Sequence, residues 1–475
     1  MLFSSEKEIG EAITEFGPKA HQEWYRLNCI EAYFIGLHRA PYEPDTATRE
    51  FWALAHRAVT NLTQLIVNTM TQRLVVDGFR PSNQTMENAP QWEWWQANGL
   101  DARQKALYDE SAKHGYSGCM VLPGDPVPVM KPVSPREWWI GFEDYSDDWA
   151  FLGLKQPGRR LNEIVMPLDA DQTWHVLDER ARYVVRYSTA GDVAVEQETV
   201  HNLGHVPIVP FRNSWNLTRY PDGEIEPVIA IQDRLNQTVF DLLVAQTYSA
   251  APQKWATGMV LPTDERGQPI VDLRAFAKSL WVTSDEGAKF GSLPEANLGN
   301  IVRAIEQSLR MYGLMSQTPP HYLLGDLVNL SAEALLAADT SLAKKVQNHQ
   351  VLYGEAWEQT FRLAGVAAGD ATAATDMEAQ VWWRDTEPRS IAQQVDALGK
   401  MATMLQIPPS ALWEKVPGTT GSDLMLWRTE AAKAKLAAAR QAAQNPQPQP
   451  GGTPGANVEA TNGREAARGR REALV

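Results

Sequence analysis

The residues best suited to chemistry are three groups of neighbouring carboxylates. They are Asp222, Glu224 and Glu226, then Asp264 and Glu265, then Asp285 and Glu286. Carboxylates at this spacing are the ligands that nucleases use to hold Mg²⁺ against a phosphodiester. None of them stands in the His and Lys pattern that such a site needs. A solvated helix start and solvated loop tips are therefore the favoured interpretation, and a Mg²⁺-dependent nuclease is the alternative.

A second candidate is the histidine pair His201 and His205, four residues apart. That spacing places two side chains on one face only in a helix, and Gly204 and Pro207 favour a strand or turn instead. The sequence also lacks the glycine-rich P-loop, the H-E-x-x-H zinc motif and the G-x-S-x-G nucleophile elbow. We therefore predict no catalytic residue, no metal site and no cofactor, and a protein that is not an enzyme.

Composition narrows the class further. The chain has 475 residues, 44% of them hydrophobic, and a formal net charge of −14, which predicts two to four compact units with an acidic surface. Such a surface does not grip nucleic acid, because neutralising phosphates requires clustered Lys and Arg. The only cysteines, Cys29 and Cys119, are too few for a disulfide framework and are expected to be reduced. No run of 18 apolar residues is present, so no membrane partner is expected.

The elements that position these residues change along the chain. Residues 5–38 are predicted to be helical with a break near Gly17-Pro18, and apolar spacing predicts further helices from Thr48 to Leu74 and from Trp92 to Lys113. Residues 119–211 lose the helical period and predict a mainly antiparallel β unit. The fold class is therefore α+β. The tryptophan clusters, such as Trp94 with Trp95, are expected mainly in the core.

The second half predicts a helical hairpin carrying a small head. A helix from Glu224 to about Thr247 would carry an apolar near-heptad stripe, and a helix from about Asn297 to Met315 would return. The stripe consists of Val228, Ile231, Leu235, Val239 and Leu242. Prolines break up residues 250–294, where Met259–Leu261 and Leu280–Val282 are predicted strands.

Beyond the hairpin the pattern is helical again. A proline pair at Pro319-Pro320 ends the returning helix, and Ser331 is a predicted N-cap of a long helix to about Ala367. A strand over Ala379–Arg384 and helices over Pro388–Leu405 and Ser422–Gln444 follow. Residues 445–475 carry almost no large apolar groups and are predicted to be disordered.

Five segments, in order over about residues 5–440, resemble portal proteins of long-tailed bacteriophages, especially those infecting actinobacteria. They are Trp95–Asp101, Leu203–Asn213, Ile231–Asn236, Leu330–Leu335 and Trp382–Asp385. The resemblance implies a portal fold with an α/β wing, a two-helix stem, a small β-containing clip, a long helix and a helical crown. By position, the wing would be 1–223, the stem helices 224–249 and 297–315, and the clip 250–296. The tunnel loop would be 316–331, the long helix with a wing strand 332–387, the crown 388–444 and the tail 445–475.

The resemblance also implies a function. Copies would form a ring, typically dodecameric, at one capsid vertex of the virion after assembly in the host cytoplasm. Double-stranded DNA would pass through it non-specifically during packaging and ejection. The expected partners are the terminase packaging motor, the major capsid and scaffolding proteins, and the neck or adaptor proteins. The expected DNA-facing residues of the tunnel loop are Gln317, Thr318, His321, Tyr322, Asp326 and Asn329. The loop contains no Lys or Arg, which is consistent with light contact with DNA. The alternative function is that of another virion structural protein, such as a minor head protein.

Overall fold

We describe the fold from a computed structural model of the chain. The described residues are 2–42, 49–82, 89–156, 172–188, 192–249, 254–257, 287, 289–292, 298–325, 332–384, 391–416, 419 and 421–444. The predicted strands Met259–Leu261 and Leu280–Val282, the N-cap Ser331 and the predicted tail 445–475 lie outside them. So do Asp264, Glu265, Asp285 and Glu286.

The N-terminal third is helical, as predicted, but the boundaries differ in three places. The helices are α1 Glu6–Phe34, α2 Arg49–Ala58, α3 Thr63–Thr71, α4 Pro90–Ala97 and α5 Leu100–His114, with strand β1 Val76–Arg80 after α3. The expected break at Gly17-Pro18 is wrong, because α1 continues through Pro18.

Two predicted single helices are in fact pairs. Between α2 and α3 the backbone N–H of Thr60 donates to Asn236 Oδ1 at 3.1 Å, and Asn61 Oδ1 accepts from Thr63 N at 3.1 Å. A tertiary contact and a local side-chain cap thus replace the helical ladder. Between α4 and α5, Gly99 has a φ of +61°, a conformation that ends a helix and that glycine adopts without strain.

The predicted antiparallel β unit is confirmed. Its strands are β2 Tyr116–Leu122, β3 Val129–Val133, β4 Trp139–Gly141, β5 Leu152–Lys155, β6 Gln172–Leu177, β7 Ala181–Tyr187, β8 Val193–Val200 and β9 Ile208–Arg212. One sheet has the order β3-β2-β9 and the other has the order β4-β5-β6-β7-β8. All pairs are antiparallel. Burial alternates along β7, where Ala181, Tyr183 and Val185 point inward.

The hairpin and its head follow the β unit. Helix α6, Ile229–Ser249, pairs with helix α7, Leu298–Ser316, and strands β10 Lys254–Thr257 and β11 Lys289–Ser292 form an antiparallel ladder between them. The predicted helix start at Glu224 is wrong: a 3₁₀ turn over Glu226–Val228 precedes α6. The short helix α8, Pro320–Leu324, lies inside the segment predicted to be a loop.

The C-terminal half closes the fold onto the N-terminal half. Helix α9 Ala332–Ala368 is followed by α10 Ala371–Thr375, β12 Gln380–Trp383, α11 Ile391–Met404, α12 Pro409–Leu412 and α13 Gly421–Gln444. Strand β12 pairs antiparallel with β1, about 300 residues earlier. The indole N–H of Trp357 on α9 donates to the Tyr108 hydroxyl at 2.7 Å, and its ring packs against Trp95 at 4.7 Å. The mixed α+β class is confirmed.

Candidate functional site

The α6–α7 hairpin is the predicted functional element. Much of the apolar stripe on α6 is buried by contacts within the chain. Val228 and Leu235 are fully buried and Ile231 is 8% exposed, whereas Val239 and Leu242 are half-buried. Helix α6 packs against α7 and also against α2. The stripe therefore does not leave a free apolar seam along α6.

The exposed apolar surface lies on α7 instead. Val302, Met311, Leu314 and Met315 are 42%, 39%, 77% and 53% exposed. These residues were not among the predicted packing positions, although the amphipathic pattern of Leu298–Ser316 contains the signal. Met311, Leu314 and Met315 lie close together in the last two turns of α7, whereas Val302 lies on the other side of the helix. Exposed apolar side chains grouped in this way are typical of an interaction surface.

The base of the hairpin is a buried charged junction centred on Glu224. Lys345 on α9 forms an ion pair with Glu224 and donates from Nζ to the carbonyl of Ser316, the last residue of α7, at 2.9 Å. Asn213, directly after β9, donates from Nδ2 to Glu224 Oε1 at 3.2 Å. His349 Nε2 lies 2.9 Å from Asn213 Oδ1, and burial lowers the pKa of His349. This network ties the approach to α6, the end of α7, helix α9 and the β unit together.

A second set of ion pairs lies beside it. Arg26 on α1 pairs with Glu226 at 2.7 Å and with Glu23 at 2.7 Å. Burial lowers the pKa of Arg26, but hydrogen bonds and charge from Glu23 and Glu226 outweigh it and leave the pKa raised. The interpretation of Glu224 and Glu226 as solvated carboxylates is therefore wrong. Asp222 does fit the prediction of a solvated carboxylate, because its side chain is 38% exposed and pairs with Arg219 at 2.5 Å on the surface.

One cluster has the composition of a metal site. The ligand atoms of Glu31, Glu110 and His114 lie within 4.8 Å of one another, and this is the one such group among the described residues. Lys113 Nζ, however, lies 3.0 Å from Glu31 and 2.5 Å from Glu110. Burial would raise the pKa of Glu31, but bonds and charge from His114 and Lys113 lower it to about 2. The ammonium of Lys113 already supplies the positive charge that a cation would bring.

The predicted tunnel-loop residues fall into two groups. Gln317 takes a φ of +55° after α7, and Thr318 is 4% exposed with its hydroxyl 3.0 Å from Ser316 Oγ. Those two positions form the tight turn into α8. Asp326 and Asn329 lie outside the described residues.

His321 and Tyr322 on α8 lie against a third ion pair. Arg73, in the turn after α3, pairs with Asp339 on α9 at 3.2 Å, and Arg73 Nη2 donates to the Tyr322 hydroxyl at 3.1 Å. His321 Nε2 lies 3.5 Å from Asp339, and its side chain is 11% exposed, whereas Tyr322 is 41% exposed. Helix α8 is thus held at one end of the hairpin with Tyr322 as its more open residue.

The histidine pair does not converge on a site. His205 stacks on Trp149 with ring centroids 4.0 Å apart, and His201 Nδ1 accepts from the backbone of Leu203 at 3.3 Å. Burial lowers the pKa of both. Neither belongs to a group of potential metal ligands in the part of the chain that the structure describes.

Of the helices in the described ranges, none is both long enough and apolar enough to cross a bilayer.

The chain is similar to several known proteins. The family model described as phage portal protein, SPP1 Gp6-like, matches residues 26–445. The chain is 26% identical over 362 residues to the portal protein of Mycobacterium phage D29 and 24% identical over 362 residues to that of Mycobacterium phage L5, with 71% of each chain covered in both cases. A solved structure described as the neck of a native GTA particle, computed with C12 symmetry, aligns with a TM-score of 0.42 at 11% identity. That alignment covers 82% of this chain and all of the other.

Proposed function

The chain belongs to the SPP1 Gp6-like family of phage portal proteins, and on this premise we propose that twelve copies close into a ring around a DNA channel at one capsid vertex. A phage portal protein is a virion component, and this role takes the place of the minor head protein considered as an alternative. We further propose that the ring assembles in the host cytoplasm before DNA is packaged through it.

The observation that carries the proposal is the unequal burial of the α6–α7 hairpin. Its base is fixed within the chain by Glu224 and Lys345, whereas α7 exposes Leu314 and Met315. In a ring that closes by rotation, each copy presents two different surfaces, one to each neighbour. The α7 surface fits one of them, because burying it removes apolar area from water.

The proposed domain division keeps the boundaries that the sequence suggested. We assign residues 1–223 to the wing, and α6 and α7 to the stem within 224–249 and 297–315. We assign 250–296, which includes β10 and β11, to the clip. Residues 316–331 form the tunnel loop and 332–387 the long helix with its wing strand. We assign residues 388–444 to the crown and 445–475 to the tail.

The channel is proposed to conduct DNA without gripping it. The net charge of −14 and the absence of Lys and Arg from residues 316–331 both disfavour tight phosphate binding. Such binding depends on basic side chains that neutralise phosphates and release the counterions condensed on DNA into solution. Within the tunnel loop, the exposure of Tyr322 and the ion-pair contact of His321 favour Tyr322 as the side chain nearer to DNA. Gln317, Thr318, Asp326 and Asn329 remain proposed positions of the same loop.

The proposed partners follow from this placement. The clip would meet the terminase motor during packaging and the neck or adaptor proteins afterwards, and the wing and crown would meet the capsid and scaffolding proteins. We propose no catalytic step. The nuclease alternative is disfavoured at its first carboxylate group, because Glu224 pairs with Lys345 and Asp222 pairs with Arg219. Its other two groups lie outside the described residues.

The test is the mass of the purified chain under assembly conditions. Sedimentation and native mass measurement should give a closed species of twelve copies that releases no cleaved DNA when incubated with duplex and Mg²⁺. A chain that stays monomeric across salt, Mg²⁺ and concentration series, or that cleaves DNA with dependence on Asp222 or Glu224, would contradict the proposal.

A further inference from the structure

Three nitrogen-bearing side chains form a row across the outer face of the five-stranded sheet. Lys155 ends β5, His175 lies in β6 and Arg182 lies in β7. Lys155 and His175 are direct partners in their ladder, and Arg182 is the partner of Leu177, two residues beyond His175. All three side chains are half-buried, because the residues that alternate with them along the strands point into the core.

The row gathers around the indole ring of Trp138. The Lys155 Nζ and the Arg182 guanidinium carbon lie 5.8 and 6.0 Å from the ring centroid. The His175 ring meets the indole edge-on, with the ring centroids 6.3 Å apart. Burial and the charges of Arg182 and Lys155 lower the pKa of His175 to about 4. Two cations therefore act on one neutral imidazole, and a negatively charged group beside it would relieve their repulsion.

The hydrogen bonds of the row leave it rich in donors. Arg182 Nη2 donates to His175 Nδ1 at 2.5 Å. Because a guanidinium cannot accept, this contact places the proton of the neutral imidazole on Nε2. The Nε atom of Arg182 is buried and has no hydrogen-bond partner in the part of the chain that the structure describes. The three side chains thus present N–H groups whose natural complement is an oxygen-bearing anion.

The neighbouring carboxylates do not balance the charge of the row. Lys155 pairs with Glu137 at 2.9 Å, and that carboxylate is 55% exposed. Two other ion pairs link β7 and its surroundings to β8 and balance their own charges; they are Arg180–Glu198 and Arg186–Glu196. No carboxylate of the described residues lies within ion-pair distance of Arg182. Arg182 therefore contributes a positive charge without an anionic partner among those residues.

We propose that Lys155, His175 and Arg182 form a binding site for a phosphate group. The anion offsets the charge of Arg182, and its oxygens accept from N–H groups of all three side chains. A carboxylate also carries the charge but offers only two oxygens to donors that come from three strands, so phosphate is the better match. The inference is independent of the proposed ring, because none of the three residues belongs to the hairpin or the tunnel loop.

Equilibrium dialysis of the full-length chain against radiolabelled inorganic phosphate tests the site. We expect saturable binding whose dissociation constant rises about tenfold or more in Arg182→Gln and in Lys155→Gln, since each variant loses a charge-assisted hydrogen bond. The Lys155 side chain is 28% exposed, so Lys155→Gln keeps the test valid even if Arg182→Gln unfolds.

Arg186→Gln is the matched control for this experiment. Arg186 lies on the same face of β7 as Arg182, but its side chain is 58% exposed and already pairs with Glu196. We expect this variant to bind phosphate as the unmodified chain does. Absence of saturable binding, or an equal loss in all three variants, would overturn the inference and leave the proposed ring unaffected.

Nuclear magnetic resonance of the full-length chain with ¹⁵N-labelled histidine shows whether the anion reaches the row. The His175 resonances are assigned with His175→Gln. At pH 7 inorganic phosphate should shift the Nε2 resonance of His175 and saturate at the dissociation constant found by dialysis. Sodium acetate at equal ionic strength should shift it much less. An Nε2 resonance that does not respond to phosphate, or that responds equally to acetate, would contradict a phosphate site.

A second arm with short duplex DNA identifies the source of the phosphate group. A shift of the same Nε2 resonance that is lost in Arg182→Gln would assign the site to backbone phosphates of DNA outside the channel. A shift with inorganic phosphate and none with the duplex would assign it to the free ion.

Discussion

The base of the stem hairpin and the solvent side of α7 are built in opposite ways. At its base, charged side chains are buried and paired within one chain, with Lys345 joining Glu224 to the end of α7. On the outer face of α7, apolar side chains such as Leu314 stand open, 77% exposed. Buried charge and exposed apolar side chains thus lie side by side here, although the apolar residues Val228 and Leu235 of the same hairpin are buried.

The difference indicates that the single chain sets the orientation of the hairpin, whereas burial of the apolar side chains of α7 depends on assembly. A buried ion pair with further hydrogen bonds holds the hairpin at a set angle to the wing, because removing either partner leaves an uncompensated charge. In the proposed ring, another copy would cover the exposed apolar side chains of α7. The ion pairs within the chain would then orient the hairpin before the ring closes, and burial of α7 would add its energy to an element already in place.

The largest expected effect comes from breaking the base. Lys345→Met leaves Glu224 buried without its cation and should lower the free energy of unfolding by about 3 kcal/mol. Chemical denaturation measures it, with the double variant Lys345→Met/Glu224→Gln as the control that recovers part of the loss. A single-variant loss below about 1 kcal/mol would contradict a structural role for the junction, since that is the range of exposed pairs.

Low pH should destabilise the cluster that contains Glu31 and His114. The pKa of Glu31 is lowered to about 2 from 4.5, so its contribution is complete above pH 4.5 and is lost as the pH falls through about 2. Burial lowers the pKa of His114 below 6.5, so the unfolded state takes up a proton first and stability begins to fall below that pH. The free energy of unfolding, measured by chemical denaturation across this pH range, should decline with acid. The loss expected from Glu31 is on the order of 2 kcal/mol.

Glu31→Gln is the control for that decline. It should flatten the dependence between pH 4.5 and about 2 while leaving the His114 contribution above it. An unchanged slope in that window would show that Glu31 does not carry the acid sensitivity.

A charge placed on the exposed apolar surface of α7 should leave the stability of the single chain unchanged and weaken assembly. Leu314→Asp should change the free energy of unfolding of the monomer by less than about 0.5 kcal/mol, because the side chain is already solvated. It should raise the concentration for ring formation about tenfold or more, since a charge would be buried at the contact. Leu314→Met keeps the face apolar and should assemble normally. Normal assembly of Leu314→Asp would remove α7 from the interface.

The smallest effect is expected at the exposed pair beside the junction. The side chains of Arg219 and Asp222 are 64% and 38% exposed, so Arg219→Ala should lower the free energy of unfolding by only about 0.3 kcal/mol. Thermal and chemical unfolding should be nearly unchanged. A loss as large as that of Lys345→Met would mean that burial does not distinguish the two pairs.

Periodicity predicted the class of each region but not its long-range contacts. The α6 stripe and the hairpin were readable because apolar spacing is a local signal, and so were the β unit and the length of α9. The split of α2 from α3 was not, because Thr60 and Asn61 leave the helical ladder for bonds that include one to Asn236, far along the chain.

The site shows the same limit. Glu224 and Glu226 were expected to be solvated, since nothing near them in sequence announces Lys345 or Arg26. Those partners are 121 and 200 residues away. The exposed apolar side chains of α7 were also not predicted, although the amphipathic spacing of that helix is visible in the sequence. Local spacing marks both α6 and α7 as apolar, but it does not show that other parts of the chain already cover α6.

Electron microscopy of the assembled particle along its axis should show twelve hairpins side by side around the channel. In each, the α7 residues Met311, Leu314 and Met315 should lie against the neighbouring copy, and Glu224–Lys345 should be closed inside its own subunit. A particle in which the α7 face lies open to solvent, or in which the base of the hairpin is held by a neighbour's side chains, would contradict this arrangement.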